Sequence, residues 1–398
     1  MKEINLPDFY FHFQVSSLKF LGIDVLTKNE SLAYRIYSMF ALVFTGSFVF
    51  VECIELIFHS DFNGMAHVCN YAISHFLGMI KVIVLYRNRK QIGDMLVSLH
   101  EGVYKPNEER GGSFEKQCIN DTIKTTIFLM WVYAWSIIVV VCLGLTSSIQ
   151  TRFSKPPEMW RLPFSYISFV DISYSPSFEL TFLYQITGIF MITLCVYTSD
   201  VTIIAIIAQA SAQLKILENS VRTYIQRGLK RQKILKLTDE ACVDLTLKET
   251  IYNHHHAILD TVDTIESLGR YLALCVFLAN LVLLCLLMYK TSMLPLGGLQ
   301  FFMYLCYCFL IAIQVFLYCW WGNEMTLANE SLALGISQTY TPDTPISHAM
   351  ALKLMMIRSQ RTLCLTAGKF APLSLETYKG IIKGSFSYFM VLRQVNSK

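Results

Sequence analysis

Seven stretches of this chain, at about 33–58, 66–86, 125–149, 180–208, 268–289, 296–321 and 373–395, are each long enough to cross the hydrocarbon of a bilayer. Inside hydrocarbon each backbone N–H and C=O needs a protein partner, so apolar stretches of this length specify helices. Of the 398 residues, 54% are hydrophobic and only 16% charged, which excludes an ordinary soluble domain of this size. The expected fold is an all-α membrane protein with seven transmembrane helices, forming a single membrane domain over 1–398.

Charge placement sets the expected orientation. Three basic residues lie in 1–31, seven in 86–124, eight in 215–249 and four in 322–371, all on one side of a seven-span arrangement. The other side has none in 58–66, only Arg152, Lys155 and Arg161 in 149–178, and Lys290 in 290–297. The bias predicts a cytosolic N-terminus and an extracellular C-terminus, the inverse of G-protein-coupled receptors. The sequons at Asn29, Asn120 and Asn329 then fall on the cytosolic side, away from glycosylation chemistry. No short apolar core with a cleavage site marks the first 30 residues, so the first span is expected to act as the signal anchor. A formal charge of +4 gives no reason to expect a nucleic-acid partner. The twelve cysteines are scattered, mostly within spans, and read as buried thiols.

Helical patterns run past the membrane in two places. Gln209, Gln213, Leu214, Leu217 and Val221 extend span four, and Leu245, Tyr252, Ile258, Val262 and Ile265 predict an amphipathic stalk into span five. Between two Pro- and Gly-marked breaks, 347–365 predicts a cytosolic helix with an apolar side at Met350, Leu354 and Ile357. Segments 209–266 and 322–372 are expected to form a cytosolic anchor bundle where subunits associate.

Candidate chemistry is sparse. His254, His255 and His256 are consecutive, so a helix points them about 100° apart. They read as a solvated stalk, with no metal or cofactor expected. There is no nucleophile elbow, no His-Glu-x-x-His and no phosphate-cradling glycine loop, so no enzyme is expected. Within the spans, Lys81 is expected to snorkel, and Asp200 and Arg270 to lie within reach of each other. Aromatic and sulfur residues gather in the outer halves of several spans, at Tyr71, His75 and Met79, at Tyr184, Gly188 and Met191, and at Phe301, Tyr304 and Tyr307, and depth and helical face add Ile138, Cys142 and Leu145 of span three. Each set shares roughly one helical face, as a dry cavity for a small apolar molecule requires.

The last span differs from the rest. Glu376, Lys379, Lys383, Ser387 and Gln394 recur at helical spacings, opposite the apolar Ile381, Ile382, Phe386, Phe389 and Leu392. Such a stripe belongs against water or protein. Around a shared axis, Val391 and Val395 would form an apolar constriction beside Ser387 and Gln394, with Glu376, Lys379 and Lys383 lining its approach.

The run from Leu365-Thr-Ala-Gly-Lys-Phe-Ala-Pro-Leu-Ser-Leu-Glu-Thr to Tyr378, with Ser387-Tyr-Phe-Met-Val-Leu392 and Gln394, resembles the C-terminal signature of insect odorant receptors. Further matches are Tyr318-Cys-Trp-Trp-Gly-Asn323, Leu162-Pro-Phe164, Ser175-Pro-Ser-Phe-Glu179 and Gln185. The resemblance implies a non-selective cation channel gated by a small volatile odorant, in the plasma membrane of olfactory neuron dendrites. It implies a heterotetramer with a co-receptor subunit, in contact with membrane lipid, whose last span lines the pore with its constriction at Val391 and Val395. The short loop at 215–249 and Arg393, where the co-receptor end is apolar, resemble a tuning subunit. The alternatives are a gustatory-type relative and a G-protein-coupled-type receptor. The second lacks its Asp-Arg-Tyr and Asn-Pro-x-x-Tyr motifs here. A transporter would show a repeated half, and none is present.

Overall fold

The computed structural model describes residues 9–27, 30–58, 62–165, 167–235, 238–342 and 344–396. A short helix α1 (His12–Phe20) precedes α2 (Leu32–Phe58) and α3 (Phe62–Arg87); α4 (Arg89–Ser98) is short, and α5 (Ser113–Ser154) is long. Then come α6 (Ser177–Arg222), α7 (Tyr224–Leu235), α8 (Asp239–Lys248), α9 (His256–Ser292), α10 (Leu299–Thr339), α11 (Ile346–Ser359) and α12 (Leu375–Asn396). A two-residue hairpin, β1 (Thr366–Ala367) against β2 (Ala371–Pro372), joins α11 to α12. Pro106, Pro156, Pro163, Pro176, Pro295, Pro342, Pro345 and Pro372 all fall in connections, as a residue without a backbone N–H should.

α6 is the axis of the bundle. From Thr198 to Leu214 only Ile203 is not fully buried, because α1, α2, α3, α5 and α10 pack around it. At 46 residues it extends about 69 Å, over twice the thickness of a bilayer's hydrocarbon. Two close approaches fix its neighbours. A Cβ at Gly188 would sit 2.3 Å from the Phe48 ring of α2, and one at Gly322 of α10 would sit 2.5 Å from Leu373, just ahead of α12. Only glycine admits these contacts.

Among the described residues, six helical segments are long and apolar enough to cross a membrane. The seventh, α12, is not among them because its polar stripe lowers its mean hydropathy. It leans on α9 and α10 through Ile381, Phe389, the Ser385 hydroxyl donating to the Leu281 carbonyl (3.0 Å), and Tyr378 edge-on to Phe316 (5.6 Å). Glu376, Lys379, Lys383, Ser387, Val391, Gln394 and Val395 are all exposed on the single chain.

The stalk into α9 departs from the sequence reading. Ile258, Val262 and Ile265 are buried, but Leu245 and Tyr252 point outward. A π-helical turn, Glu249–His255, contains Tyr252 and separates Leu245 from the buried Ile258, Val262 and Ile265. Its wider turn puts residues four apart on one face, so the buried line becomes Cys242, Thr246, Thr250, His254 and Ile258. The helical pattern of 209–221 sits on α6, whereas that of 347–365 is helical only as far as Ser359, where α11 ends and the chain turns toward the hairpin. The apolar side of α11 at Met350, Leu354 and Ile357 stays exposed, while His348, Leu352 and Met355 face inward.

The histidine run is likewise corrected. His256 is solvated and pairs with Asp260 (3.0 Å), but His254 and His255 are buried. His254 Nε2 meets Gln213 Oε1 at 3.1 Å, and its ring lies against Tyr104. Burial holds both imidazoles low: His254 well below the usual range, with Arg110 next in effect, and His255 at about 4, with Arg358 next. Both are neutral in the fold, whereas the unfolded chain protonates them near pH 6.5. Stability is therefore complete above that pH and is lost as pH falls from about 6.5 toward 4, with roughly 3 kcal/mol from His255 alone. In detergent, Tm should fall across that window, and less so in His255→Phe. A Tm independent of pH from 7 to 4 would contradict the burial of these rings.

Candidate functional site

A small cavity of about 70 Å³ lies among α3, α5, α6 and α10. α3 contributes Tyr71, Ser74 and His75; α5 contributes Tyr133, Ile137, Val140 and Val141; α10 contributes Tyr307, Leu310, Ile311 and Gln314. Ile189, Thr193 and Val196 of α6 complete the wall. Phe164, from the connection between α5 and α6, closes it from above, its ring packed on Gly144 and edge-on to Tyr71 (6.0 Å). That connection is pinned by Gln185 Nε2 donating to the Ser165 carbonyl (2.7 Å), Ser148 donating to the Arg161 carbonyl (2.6 Å), and Ser168 donating its N–H and hydroxyl to buried Glu55.

The rings are ordered by their neighbours. Tyr71 stacks on Tyr307 (5.9 Å, 22°), whose hydroxyl donates to the Asn70 carbonyl (3.2 Å). His75 is held by Glu52 of α2 at 2.6 Å. A cavity like this is dry over most of its wall and polar at a few fixed points, which suits a small, largely apolar molecule with one hydrogen-bonding group.

Directly beneath it is a charge cluster. Lys81 and Asp200 are both fully buried and meet at 2.6 Å. Tyr318 donates to Asp200 Oδ1 (2.7 Å), while Gln314 (2.6 Å) and Tyr133 (2.9 Å) donate to Oδ2. Asn280 of α9 in turn donates to the Gln314 side-chain oxygen (3.1 Å). One carboxylate thus ties α6 to α3, α5 and α10, and two of its partners, Tyr133 and Gln314, are also cavity wall. The expected placements here were different. Lys81 does not snorkel, and Asp200 pairs with it rather than with Arg270, whose guanidinium lies over the Tyr271 ring at 4.7 Å.

Of the candidate pocket residues, Tyr71, His75 and Tyr307 line the cavity together. Tyr304 stands one turn outward, hydrogen-bonded to His67. Met79 reaches toward Gly46 of α2, and Tyr184 and Gly188 pack on Phe48, so these three belong to the α2 contact. Met191 and Leu145 are half-buried against the core outside the cavity lining, and Phe301 is half-buried at the start of α10 beside Phe302. Ile138 and Cys142 face outward. On α5 the inward side is Tyr133, Ile137 and Val140, one residue out of phase with the sequence choice. The outer side of α5 is as apolar as the inner one, so hydrophobic periodicity has no phase to report. Phe164 did have a signal: it ends the Leu162-Pro-Phe164 motif.

Comparisons with known proteins agree with this fold. Over 98% of its length the chain superposes on the whole of the insect olfactory receptor OR5 from Machilis hrabei in complex with eugenol, with a TM-score of 0.79 at 14% identity. Odorant receptor 10 of Aedes albopictus is 24% identical over 342 residues, 84% of this chain and 85% of that one. Odorant receptor Or1 of Anopheles gambiae is 23% identical over 98% of this chain and 96% of its own. The profile of the 7tm odorant receptor family matches residues 61–386, and the chain belongs to that family.

Proposed function

We propose that this chain is the odour-tuning subunit of a ligand-gated cation channel, binding a small volatile molecule in the Tyr71–Tyr307 cavity and lining part of a central pore with α12. It sits in the plasma membrane with its N-terminus cytosolic and its C-terminus outside, as the basic residues of the connections favour. The observation that carries the reading is the pairing of an aromatic-lined cavity within the helix bundle with a helix whose polar stripe is left uncovered on the single chain. A lipid-facing helix cannot leave Glu376, Lys379 and Lys383 in hydrocarbon, so that face meets water or other subunits.

The size of the cavity supports a gating mechanism. A cavity of roughly 150 Å³ holds benzene, and this one offers about 70 Å³. An odorant of about ten heavy atoms therefore binds only where the cavity is wider, at on the order of micromolar affinity. A ligand that prefers the wider state shifts the population toward it. Widening moves Gln314 and Tyr307 of α10, and α10 also carries Phe316 and Gly322, which hold Tyr378 and Leu373 at the foot of α12. The exposed apolar side of α11, at Met350, Leu354 and Ile357, is a surface for subunit association. Four copies of exposed Arg393 near one axis would repel cations and each other, which favours assembly with a co-receptor subunit over a homotetramer.

Replacing Tyr307 with Ala removes the stacking partner of Tyr71, and the dose–response for aromatic odorants should move to about tenfold or higher concentration. The reversal potential should not move. A changed reversal potential with unchanged sensitivity would take α10 out of the pocket. A gustatory-type ligand is the second reading, and an odorant panel separates the two.

A further inference from the structure

A second and larger cavity opens on the far side of the Tyr133–Tyr197 ring pair. It encloses about 450 Å³ between α1, α5 and α6, well inside the range of small-molecule sites. Its lining contains no Lys, Arg, Asp or Glu among the described residues. The composition changes along its length. Toward the membrane centre the walls are Met130, Trp131, Ala134 and Tyr197; at the other end are Gln14 and Gln209. Gln209 lies nine residues beyond Asp200 on α6, about 13 Å along the axis and at the end of the apolar stretch, where hydrocarbon gives way to headgroups.

Both glutamines are more than nine-tenths buried. Among the described residues, Oε1 of Gln14 and both amide atoms of Gln209 have no hydrogen-bond partner. Carboxamides held this way at the edge of hydrocarbon are unfavourable until something supplies a donor and an acceptor. A hydroxyl supplies both. The outer wall, with Phe13, Ile127 and Trp131 about half exposed, opens toward surrounding lipid rather than toward water.

We propose that this groove is a lipid site that takes a neutral single-chain amphiphile with a hydroxylated head, of the monoacylglycerol class, its head on Gln14 and Gln209 and its chain along α5 toward Tyr197. Occupancy has a route to the odour cavity. Tyr197 donates to the Met130 carbonyl (3.2 Å) and lies 5.5 Å from Tyr133, which lines that cavity and holds Asp200. A chain packed on Tyr197 restrains Tyr133, so the lipid tunes odorant sensitivity. This tuning rests on the proposed function; the binding does not.

The test is photo-crosslinking of the purified full chain in phosphatidylcholine vesicles, with a monoacylglycerol carrying a diazirine in its chain, read by peptide mapping. Labelling is expected on residues 126–134 and 197–208, suppressed by excess unlabelled monooleoylglycerol. It should fall several-fold in Gln209→Leu, which keeps the helix intact, and more in Ala208→Trp, which fills the groove. Size-exclusion profiles check that each variant is folded, and Gln209→Leu decides if Ala208→Trp is not. Labelling unaffected by competitor or by Gln209→Leu would overturn the site as mere bilayer contact. Equal labelling by a fatty-acid or phospholipid probe would overturn the neutral single-chain assignment. Labelling that appears only after deletion of residues 1–8 would assign the groove to the chain's own terminus. Each readout is independent of channel current, so the site stands or falls apart from the proposed function.

Discussion

Lys81→Met is expected to cost the fold about 3–5 kcal/mol, because it leaves the fully buried Asp200 carboxylate without its countercharge. Three neutral donors, Tyr133, Gln314 and Tyr318, still reach that carboxylate. They solvate it in part, but Coulomb attraction at 2.6 Å in a medium without water is the larger contribution. Asp200→Asn should be costly for the mirror-image reason, leaving a buried ammonium opposite an amide. The double variant Lys81→Met/Asp200→Asn should recover much of the loss, since neither charge then remains, the amide oxygen still accepts from one tyrosine and the amide N–H can donate to the hydroxyl oxygen of the other. Thermal unfolding in detergent, with surface biotinylation in cells, reads both. A coupling energy near zero in that cycle would mean the pair is not formed in the membrane. Arg270→Met, at a half-exposed site, serves as the control and should change stability by less than about 1 kcal/mol.

The second large effect belongs to α12. Val391 and Val395 are exposed on the single chain, one turn apart and on the same side as Ser387. If that side faces a pore, two rings of valine make a constriction that excludes water when narrow, and a hydroxyl there lets it wet. Val391→Ser co-expressed with a co-receptor should therefore raise resting current several-fold without odorant, and Val391→Asp should also shift cation over anion permeability. Neither change should move odorant sensitivity as Tyr307→Ala does. If α12 instead faced lipid, Val391→Ser would leave resting current unchanged, and the assignment of this helix to a pore would fail.

How legible the molecule was depends on the kind of signal each part leaves. The seven helices and the oddity of α12 are plain in the chain, since length and a polar stripe are one-dimensional facts. Tyr71, His75 and Tyr307 were reachable as cavity wall because each is an aromatic or imidazole group sharing a helical face with others of its kind. Tyr133 and Ile137 were missed because α5 is apolar on all sides and its phase comes only from packing. The π turn at Glu249–His255 is equally silent in sequence, although it rotates Leu245 and Tyr252 out of the stalk and His254 in. The Lys81–Asp200 pair joins positions 119 residues apart. Both ions are visible as intramembrane charges, but nothing local distinguishes Lys81 from Arg270 as the partner of Asp200.

Odour-evoked current tests the central claim most directly. Whole-cell recordings would compare cells expressing this chain alone, an insect odorant co-receptor alone, and both, during application of volatile esters, alcohols and aromatic compounds. Both subunits together should give a rapid cation current to some of these odorants, and Tyr307→Ala should shift its dose dependence while the chain alone stays silent. An odour response carried by the co-receptor alone, or one from both subunits that Tyr71→Ala and Tyr307→Ala leave unchanged, would contradict the assignment of this cavity as the odorant site of a tuning subunit.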